Sequence, residues 1–300
     1  MMTPFLLLAM ISESFIARPP SSGTVAGFIA WGTGELAASG IEGARREARL
    51  LLEIAYGMTT GWQLGHGDAA IEDAGAFSEL VARRARGEPV AHLAGRTGFW
   101  TLDLAVSVDT LIPRADSETL IEALLAQRPD RGSVRSVLDL GTGTGCLLLA
   151  ALSEYTLATG LGVDRVPQAV ALAAANARAN GLSDRCSFVA GRWDNAISAR
   201  FDVVLSNPPY IPSGDIPGLM RDVADYEPVS ALDGGADGLD DYRILVPALR
   251  RLLAPGGVGI FEIGIGQDET VPALGRAAGL RVEDVRCDAG GHPRAVVFVM

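Results

Sequence analysis

The chain has 300 residues and 48% of them are hydrophobic, so it is long enough for two domains and apolar enough to bury a core in each. Its formal net charge of −11 at pH 7 argues against binding to long tracts of nucleic acid, because phosphate binding relies on a basic surface. The longest apolar runs, "FLLLAMI" and "CLLLAAL", fall short of the roughly 20 residues that a membrane helix needs, which predicts a soluble protein.

Residues 1–23, "MMTPFLLLAMISESFIARPPSSG", imitate a signal peptide. They lack a basic region before the apolar stretch and have no clear small-residue cleavage site. Glu13 and the presence of a single arginine also argue against an organelle transit peptide. We predict that residues 1–23 are a disordered tail or the product of a misplaced start codon.

Residues 24–95 are predicted to form a small helical domain. In "EGARREARLLLEIAYGM" the apolar side chains recur at intervals of three and four residues, and Gly57 follows as a stop signal. A second candidate helix, "AGAFSELVARRARG", ends in arginines, which suit a helix C-terminus.

Residues 96–112 are predicted to form a linking β-hairpin. The run "GFWTLDLAVSV" alternates apolar and polar residues in places, as short strands do. Phe99 and Trp100 are interpreted as packing residues. The next segment, "LIPRADSETLIEALLAQ", reads as a helix that Asp116 or Ser117 can cap.

From residue 113 to residue 300 the strand and helix patterns alternate, which predicts an α/β domain with a doubly wound, mostly parallel sheet. Pro167 and Gly181 bracket one helix, "PQAVALAAANARANG", in the usual asymmetric way. The last segment, "LRVEDVRCDAGGHPRAVVFVM", predicts an antiparallel pair at the C-terminal edge of the sheet. The candidate strands are "SVLDL" (136–140), "GLGVD" (160–164), "CSFVA" (186–190), "FDVVLS" (201–206) and "GVGIFEI" (257–263).

A glycine loop follows the first of these strands, where open α/β sheets bind ligands. Gly141, Gly143 and Gly145 would let the backbone approach a ligand closely. The spacing is GxGxG and not the dinucleotide GxGxxG, because Cys146 holds the sixth position. Asp164 ends the next strand, where it can accept hydrogen bonds from ribose hydroxyls or merely cap the following helix. This arrangement resembles class I S-adenosylmethionine-dependent methyltransferases.

The stretch "LSNPPYIP" ends the fourth strand. Asn207 supplies an acceptor oxygen and Pro208 a carbonyl fixed by its ring, and two acceptors can hold the two protons of one NH2 group. Tyr210 offers a flat face to a planar group. The alternative is that NPPY is only a turn. At this strand end the motif predicts a planar nitrogen acceptor: adenine, guanine or a carboxamide.

Seven segments resemble the PrmC/HemK family of peptide-chain release factor glutamine N5-methyltransferases, from about Thr24 to the C-terminus. NPPY is shared with DNA adenine and some RNA guanine methyltransferases, whereas "LIPR" and the "YEP" segment are more specific. The segments are "AHLAGRTGFW", "LIPRADSETL", "VLDLGTGTG", "VDRVPQAV", "NPPYIP", "YEPVSALDGGADGLDDYR" and "APGGVGIFEIG".

The resemblance implies methylation of the side-chain amide nitrogen of the glutamine in the Gly-Gly-Gln loop of class 1 release factors, with S-adenosylmethionine as cofactor. DNA or RNA base methylation is the alternative, and a catalytically silent binding module is a third hypothesis. In the implied mechanism Asn207 and Pro208 grip the glutamine NH2 group and Tyr210 packs on it. The implied cofactor site is Gly141, Thr142, Gly143, Thr144, Gly145, Asp164, Trp193 and Asn207. The implied substrate site is Asn207, Pro208, Pro209 and Tyr210, with Arg114 and Glu227 as further candidates.

Arg114, Glu118 and Glu227 shape the pocket on this interpretation, and each could instead be a surface ion pair or a helix cap. Ala115 departs from the family, which usually has a second proline there, and the tail "CDAGGHPRAVVF" is a loose match. These departures weaken the roles of Arg114 and Arg294.

The three cysteines are far apart and form no CxxC pair, and the three histidines have no zinc spacing, so we expect a reducing, cytoplasmic compartment and no metal. The expected partners are class 1 release factors, which the helical domain would also contact. No stable nucleic acid, no membrane association and a monomeric state are expected.

Overall fold

The computed structural model describes residues 21–195 and 197–300. The predicted tail, residues 1–23, therefore lies outside the described residues except for its last three. The chain divides into two compact units, Met1–Ala94 and Gly95–Met300. This division is one residue from the predicted end of the helical domain. Across the described ranges, no helix is both long and apolar enough to cross a membrane.

The first unit is helical around a small core of its own. Thr24 caps the first helix, since its side chain accepts a hydrogen bond from Gly27 N. Gly57, at φ 70°, ends the second helix, as its position in the sequence predicts. Phe28 and Phe77 meet edge to face in the core. The elements are β1 (Gly23–Thr24), α1 (Val25–Ala38), α2 (Ala44–Tyr56), α3 (Thr60–Gly65), β2 (Ala70–Ile71), α4 (Gly75–Ala85) and α5 (Val90–Ala94), with β1 and β2 antiparallel.

The predicted hairpin is present as two antiparallel strands, β3 (Arg96–Phe99) and β4 (Leu102–Ala105). Phe99 is 1% exposed in the core, and Trp100 packs against that core from the turn, so their interpretation as packing residues is confirmed. Glu118 accepts a hydrogen bond from Trp100 N at 2.6 Å, which anchors the hairpin turn.

The second unit is built on the predicted doubly wound sheet. Its remaining helices and strands are α6 (Glu118–Gln127), β5 (Ser136–Leu140), α7 (Cys146–Glu154), β6 (Thr159–Asp164), α8 (Pro167–Ala179), β7 (Cys186–Ala190), β8 (Phe201–Ser206), α9 (Arg221–Ala224), α10 (Asp240–Leu252), β9 (Leu253–Glu262), α11 (Thr270–Ala277), β10 (Arg281–Cys287) and β11 (Pro293–Val299). Short 3-10 turns lie between them at Ala115–Ser117, Ser183–Arg185, Ile216–Gly218 and Val229–Ala231.

The strand order is β10-β11-β9-β8-β5-β6-β7. The strands from β9 to β7 run parallel, and β11 pairs antiparallel with both β9 and β10, so the predicted antiparallel C-terminal edge is confirmed. Strands β5, β7 and β8 match the predicted bounds, whereas β9 begins at Leu253, earlier than predicted.

The central strands are buried on both faces, which explains why they read as continuous apolar runs. Val203 and Leu205 of β8 pack into one core cluster together with α6 and α7. Val204, between them, packs into a second cluster with α10. Successive side chains of a strand point to opposite faces, so one apolar run supplies both cores.

Candidate active site

A cavity lies at the carboxyl ends of β5, β6 and β8, the edge at which the sequence places both the glycine loop and the NPPY motif. Leu140 pairs with Val163 and with Ser206, so the loops that follow these strands start side by side. The cavity opens to solvent, and its empty space together with that open mouth is about 990 Å³. The predicted site residues that line it are Arg114, Gly141, Thr142, Gly143, Thr144, Asp164, Trp193, Asn207 and Pro209.

Gly141 and Gly143 are required by their backbone conformation, and Gly141 also by close packing against Trp193. Gly141 and Gly143 have φ values of 77° and 53°, which L side chains rarely adopt. A Cβ on Gly141 would lie 3.1 Å from the ring of Trp193, whereas within the described part of the chain nothing lies within 4 Å of a Cβ on Gly143. Gly143 therefore presents bare backbone to the cavity.

Gly145 does not line the cavity. Its φ is 84°, and a Cβ there would lie 3.2 Å from Ala173 Cβ and 3.3 Å from Leu149 Cδ1. Because Ala173 belongs to α8 and Leu149 to α7, this glycine lets the start of α7 pack against α8.

Asp164 ties the glycine loop to the start of α8. Its Oδ2 accepts a hydrogen bond from Gly143 N at 2.8 Å, and its Oδ1 accepts one from Val166 N at 2.9 Å. Each carboxylate oxygen has a second lone pair, and Asp164 lines the cavity. The two sequence interpretations are therefore compatible, since the residue bonds the helix start and can also accept from a ligand hydroxyl.

Beneath the loop lies the buried carboxyl of Asp139. Its Oδ2 accepts a hydrogen bond from the Thr142 hydroxyl at 2.6 Å. Burial raises the pKa of Asp139 to about 7. Among the described residues, neither Asp139 Oδ1 nor the buried Thr144 hydroxyl has a hydrogen-bond partner. The Asp139–Thr142 bond shapes the loop from below.

Trp193 forms one wall of the cavity in an unusual backbone conformation, with φ 50°. Its indole N–H donates to Asp241 Oδ1 at 3.1 Å. Asp241, in the first turn of α10, was not singled out by sequence reasoning, because an acidic residue at a helix start has an ordinary dipole explanation. The hydrogen bond fixes the plane of the ring against the glycine loop.

Asn207 follows β8, and a series of hydrogen bonds through Ser117 connects it to the buried carboxylate of Glu262. Asn207 Nδ2 donates to Ser117 Oγ at 3.3 Å, and the Ser117 hydroxyl donates to Glu262 Oε2 at 2.5 Å. The Tyr210 hydroxyl donates to the other oxygen, Oε1, at 3.2 Å. Burial raises the pKa of Glu262 to about 7.

Ser117 stands at the N-cap position of α6, as predicted, but the side-chain capping bond that the prediction implies is absent. Ser117 has helical backbone angles, φ −68° and ψ −16°, and its side chain makes no capping bond. Its hydroxyl turns inward to Glu262 instead. The sequence signal that could have led to Glu262 is a lone acidic residue in the apolar strand "GVGIFEI", since a buried charge requires partners.

Pro208 is buried, and neither it nor Tyr210 lines the cavity. The family-specific segment "ALDGGADGL" lies directly against this part of the chain: a Cβ on Gly234 would be 2.8 Å from the Pro209 carbonyl oxygen, and one on Gly238 would be 2.3 Å from the Tyr210 carbonyl oxygen. The segment therefore supports the NPPY backbone, and its glycines permit the close approach.

Arg114 and Glu227 form an ion pair at the cavity rim, with Arg114 Nη2 2.7 Å from Glu227 Oε1. The Arg114 side chain is 40% exposed and lines the cavity, whereas that of Glu227 is 1% exposed and does not. Burial raises the pKa of Glu227 although Arg114 opposes the shift. Arg294 binds Asp288 at 3.0 Å and lies 3.4 Å from Asp116. Of these two sequence candidates, Arg114 lines the cavity, and Glu227 pairs with it from outside the lining.

Comparison with known proteins gives matches along most of the chain. The family model of the PrmC N-terminal domain matches residues 28–95, and that of the methyltransferase small domain matches residues 114–217. The release factor glutamine methyltransferase of Rhodospirillum rubrum is 46% identical over 268 residues, which cover 89% of this chain and 82% of that protein. The proteins of the same name from Caulobacter vibrioides and Xylella fastidiosa strain Temecula1 are 40% and 45% identical and cover 87% and 84% of this chain, and 91% and 92% of their own lengths.

A solved structure with the same fold is the hMettl16 catalytic domain in complex with a MAT2A 3'UTR hairpin. Its TM-score is 0.52 at 15% identity, and the match covers 66% of this chain and 76% of that one. At this identity the likeness concerns the fold alone.

Proposed function

Because the chain belongs to the release factor glutamine methyltransferase family, we propose that it transfers a methyl group from S-adenosylmethionine to the side-chain amide nitrogen of the glutamine in the Gly-Gly-Gln loop of class 1 peptide-chain release factors. One structural observation carries the proposal: Asn207 and the glycine loop line the same cavity. A planar NH2 group and a cofactor can therefore be held within reach of each other.

The cavity residues fit S-adenosylmethionine. Gly143 presents bare backbone, Asp164 retains lone pairs for hydroxyl groups, and Trp193 provides a flat wall. When bound, S-adenosylmethionine supplies a methyl group that its sulfonium centre has already activated. The protein then needs only to orient the acceptor and to stabilise charge.

Asn207 binds the substrate amide that receives the methyl group. An amide nitrogen is a poor nucleophile because its lone pair is delocalised, so both N–H groups must be held while the nitrogen face points at the methyl carbon. Asn207 Nδ2 is directed at Ser117, which leaves Oδ1 to accept from the glutamine NH2 group. The substrate nitrogen would gain the methyl group as the sulfonium S–C bond breaks, and this hydrogen bond would strengthen as positive charge develops on the nitrogen. The nitrogen would then release one proton to solvent at the open mouth of the cavity.

Methylation of DNA or RNA bases, the alternative from NPPY, is not favoured. Three relatives that each match more than four fifths of the chain are named for release factors. The net charge of −11 is also poorly suited to a nucleic-acid substrate. We further propose that residues 24–95 add contacts to the release factor, that residues 96–112 link them to a methyltransferase domain at 113–300, and that the enzyme is a cytoplasmic monomer.

Methyl transfer can be tested with the full-length chain, isotope-labelled S-adenosylmethionine and a purified class 1 release factor. We expect label on the loop glutamine, located by mass mapping, and none on a release factor whose loop glutamine is changed to alanine. Deproteinised DNA and RNA serve as competing acceptors. Label that persists on the glutamine variant, or that appears on nucleic acid, would overturn the proposal.

The Asn207→Ala variant tests the role of the amide in the same assay. Loss of one preorganised hydrogen bond to a charge-developing centre lowers kcat by about 10²-fold or more. Binding of S-adenosylmethionine, followed by calorimetry, serves as the control for an intact cavity. A variant that binds the cofactor and retains the wild-type kcat would contradict the assignment of Asn207.

A further inference from the structure

Two side chains of the NPPY motif converge on one buried carboxylate. Glu262, the last residue of β9, is 1% exposed. It accepts the Tyr210 hydroxyl at Oε1 and the Ser117 hydroxyl at Oε2. Ser117 Oγ in turn accepts a hydrogen bond from Asn207 Nδ2. One carboxylate thus holds Tyr210 directly and Asn207 through Ser117.

The direction of these hydrogen bonds follows from the chemistry of the groups. Above its pKa of about 7 the Glu262 carboxylate is ionised and only accepts, so each hydroxyl in contact with it must donate to it. A serine hydroxyl has a single proton, and the proton of Ser117 is committed to Glu262. Ser117 Oγ can therefore only accept from Asn207, which requires the NH2 end of the amide to face it.

We propose that Ser117 and Glu262 are positioning residues that select the one orientation of the Asn207 amide in which its oxygen faces the substrate nitrogen. The inference rests on the proposed function, because it takes the substrate to be an NH2 group beside Asn207. The reversed amide would present its own NH2 group to the substrate NH2 group, and two donors do not bind each other. In this role Ser117 accepts from Asn207, and Glu262 fixes the Ser117 hydroxyl while it also accepts from Tyr210.

The backbone around Glu262 is also fixed by hydrogen bonds from buried side chains. The buried Tyr242 hydroxyl donates to the Glu262 carbonyl oxygen at 2.7 Å. Arg294 Nη1 donates to the carbonyl oxygen of Ile263 at 3.4 Å. Because its backbone is anchored in this way, Glu262 should keep its position when Ser117 is changed. The orientation of the Asn207 amide therefore depends on which hydrogen bonds Ser117 and Glu262 can make.

Two variants should remove the preference for one orientation of the Asn207 amide while they leave Asn207 itself in place. Glu262→Gln keeps the shape of the side chain but can donate as well as accept, so the Ser117 proton is no longer committed to it. Ser117→Ala deletes the acceptor of the Asn207 NH2 group. Tyr155→Phe is the matched control, because it deletes a buried hydroxyl that donates to the Arg128 carbonyl oxygen at 2.7 Å, outside the cavity.

We expect Glu262→Gln and Ser117→Ala to lower kcat for methyl transfer to the release factor about tenfold, equivalent to about 1.4 kcal/mol. The KM for S-adenosylmethionine should stay unchanged, and Tyr155→Phe should retain the wild-type kcat. Wild-type kcat in both Glu262→Gln and Ser117→Ala would overturn the proposal. Thermal unfolding of each variant identifies any loss that reflects misfolding.

An Asn207→Asp background separates positioning from a merely structural role. Both ends of the introduced carboxylate are oxygens, so there is no orientation left to select. In this background we expect Ser117→Ala to leave the residual kcat unchanged. We expect the same of Glu262→Gln, because the glutamine oxygen can still accept from Tyr210. If each change instead causes the same tenfold loss as in the wild type, the positioning role is refuted.

A readout without methyl transfer keeps this inference distinct from the proposed function. In protein labelled with ¹⁵N-asparagine, the side-chain NH2 signal that Asn207→Asp removes identifies Asn207. We expect protection of this NH2 group from hydrogen exchange, and Ser117→Ala should remove that protection. Unprotected wild-type protons would overturn the inference, whereas protected protons in an enzyme that does not methylate release factors would overturn the proposed function alone.

Discussion

Replacement of Gly234 by alanine tests whether the segment "ALDGGADGL" positions the NPPY motif. An added Cβ would lie 2.8 Å from the Pro209 carbonyl oxygen and 2.9 Å from Tyr210 Cα. These are backbone atoms, so the clash cannot be relieved by rotation of a side chain. The segment and the motif are also joined by two backbone hydrogen bonds, from Ile211 N to Leu232 O and from Gly234 N to Ile211 O.

The size of the effect follows from the required displacement. To reach an ordinary contact of 3.4 Å from 2.8 Å, the two backbones must separate by about 0.6 Å. A misplacement of about 1 Å at a reacting centre can cost about 10²-fold in rate, so we expect Gly234→Ala to lower kcat about tenfold. The glycine loop follows β5 and contributes no atom to this clash, so binding of S-adenosylmethionine should be unchanged.

The assay is steady-state methyl transfer to a release factor, together with calorimetric titration of S-adenosylmethionine. Gly214→Ala is the matched control, because this exposed glycine lies in the same region and has no described atom within 4 Å of its Cβ position. We expect Gly214→Ala to behave as the wild type. A Gly234→Ala variant that keeps both the wild-type kcat and the wild-type melting temperature would refute the supporting role of the segment.

Three further predictions concern the cavity. Gly141→Ala should weaken S-adenosylmethionine binding in calorimetry at least tenfold, because it adds a strained φ of 77° and a contact of 3.1 Å to Trp193, and unchanged affinity would contradict the close packing. The kcat of the wild type should fall as the pH drops through about 7, where Glu262 takes up a proton and must donate one of its hydrogen bonds. The decrease should be smaller in Glu262→Gln, in which Asp139 still titrates with a pKa of about 7, and an equal decrease in both would contradict the role of Glu262. Arg114→Met should destabilise the fold by about 1–3 kcal/mol in urea unfolding, since it leaves Glu227 buried without its cation, and Glu227→Gln should restore most of the loss. Because the folded-state pKa of Glu227 is raised, this loss should be largest above that pKa and disappear in acid, and a loss independent of pH would contradict the ion-pair explanation.

The sequence was informative wherever local pattern and burial agree. Strands β5, β7 and β8 have their predicted bounds, because apolar runs bounded by turn residues leave a buried parallel strand little freedom of register. The secondary structure between Gly218 and Leu252 was predicted less accurately. Its one long helix, α10, carries Pro247 in its interior and was not predicted as a helix.

The sequence by itself determined the chemistry that the site can hold: a glycine loop after one strand, an acid after the next, and an amide with two prolines after the fourth. These motifs depend on backbone conformation and residue type over a few positions, and such local requirements are visible in the chain. Only the tertiary structure decided how Asn207 is oriented. Its partners Ser117 and Glu262 lie 90 and 55 positions away, and each has an ordinary local interpretation, as a helix cap and as a strand residue. Folding brings them together in a core where an unpaired polar group is costly, and that long-range requirement leaves no local pattern in the sequence.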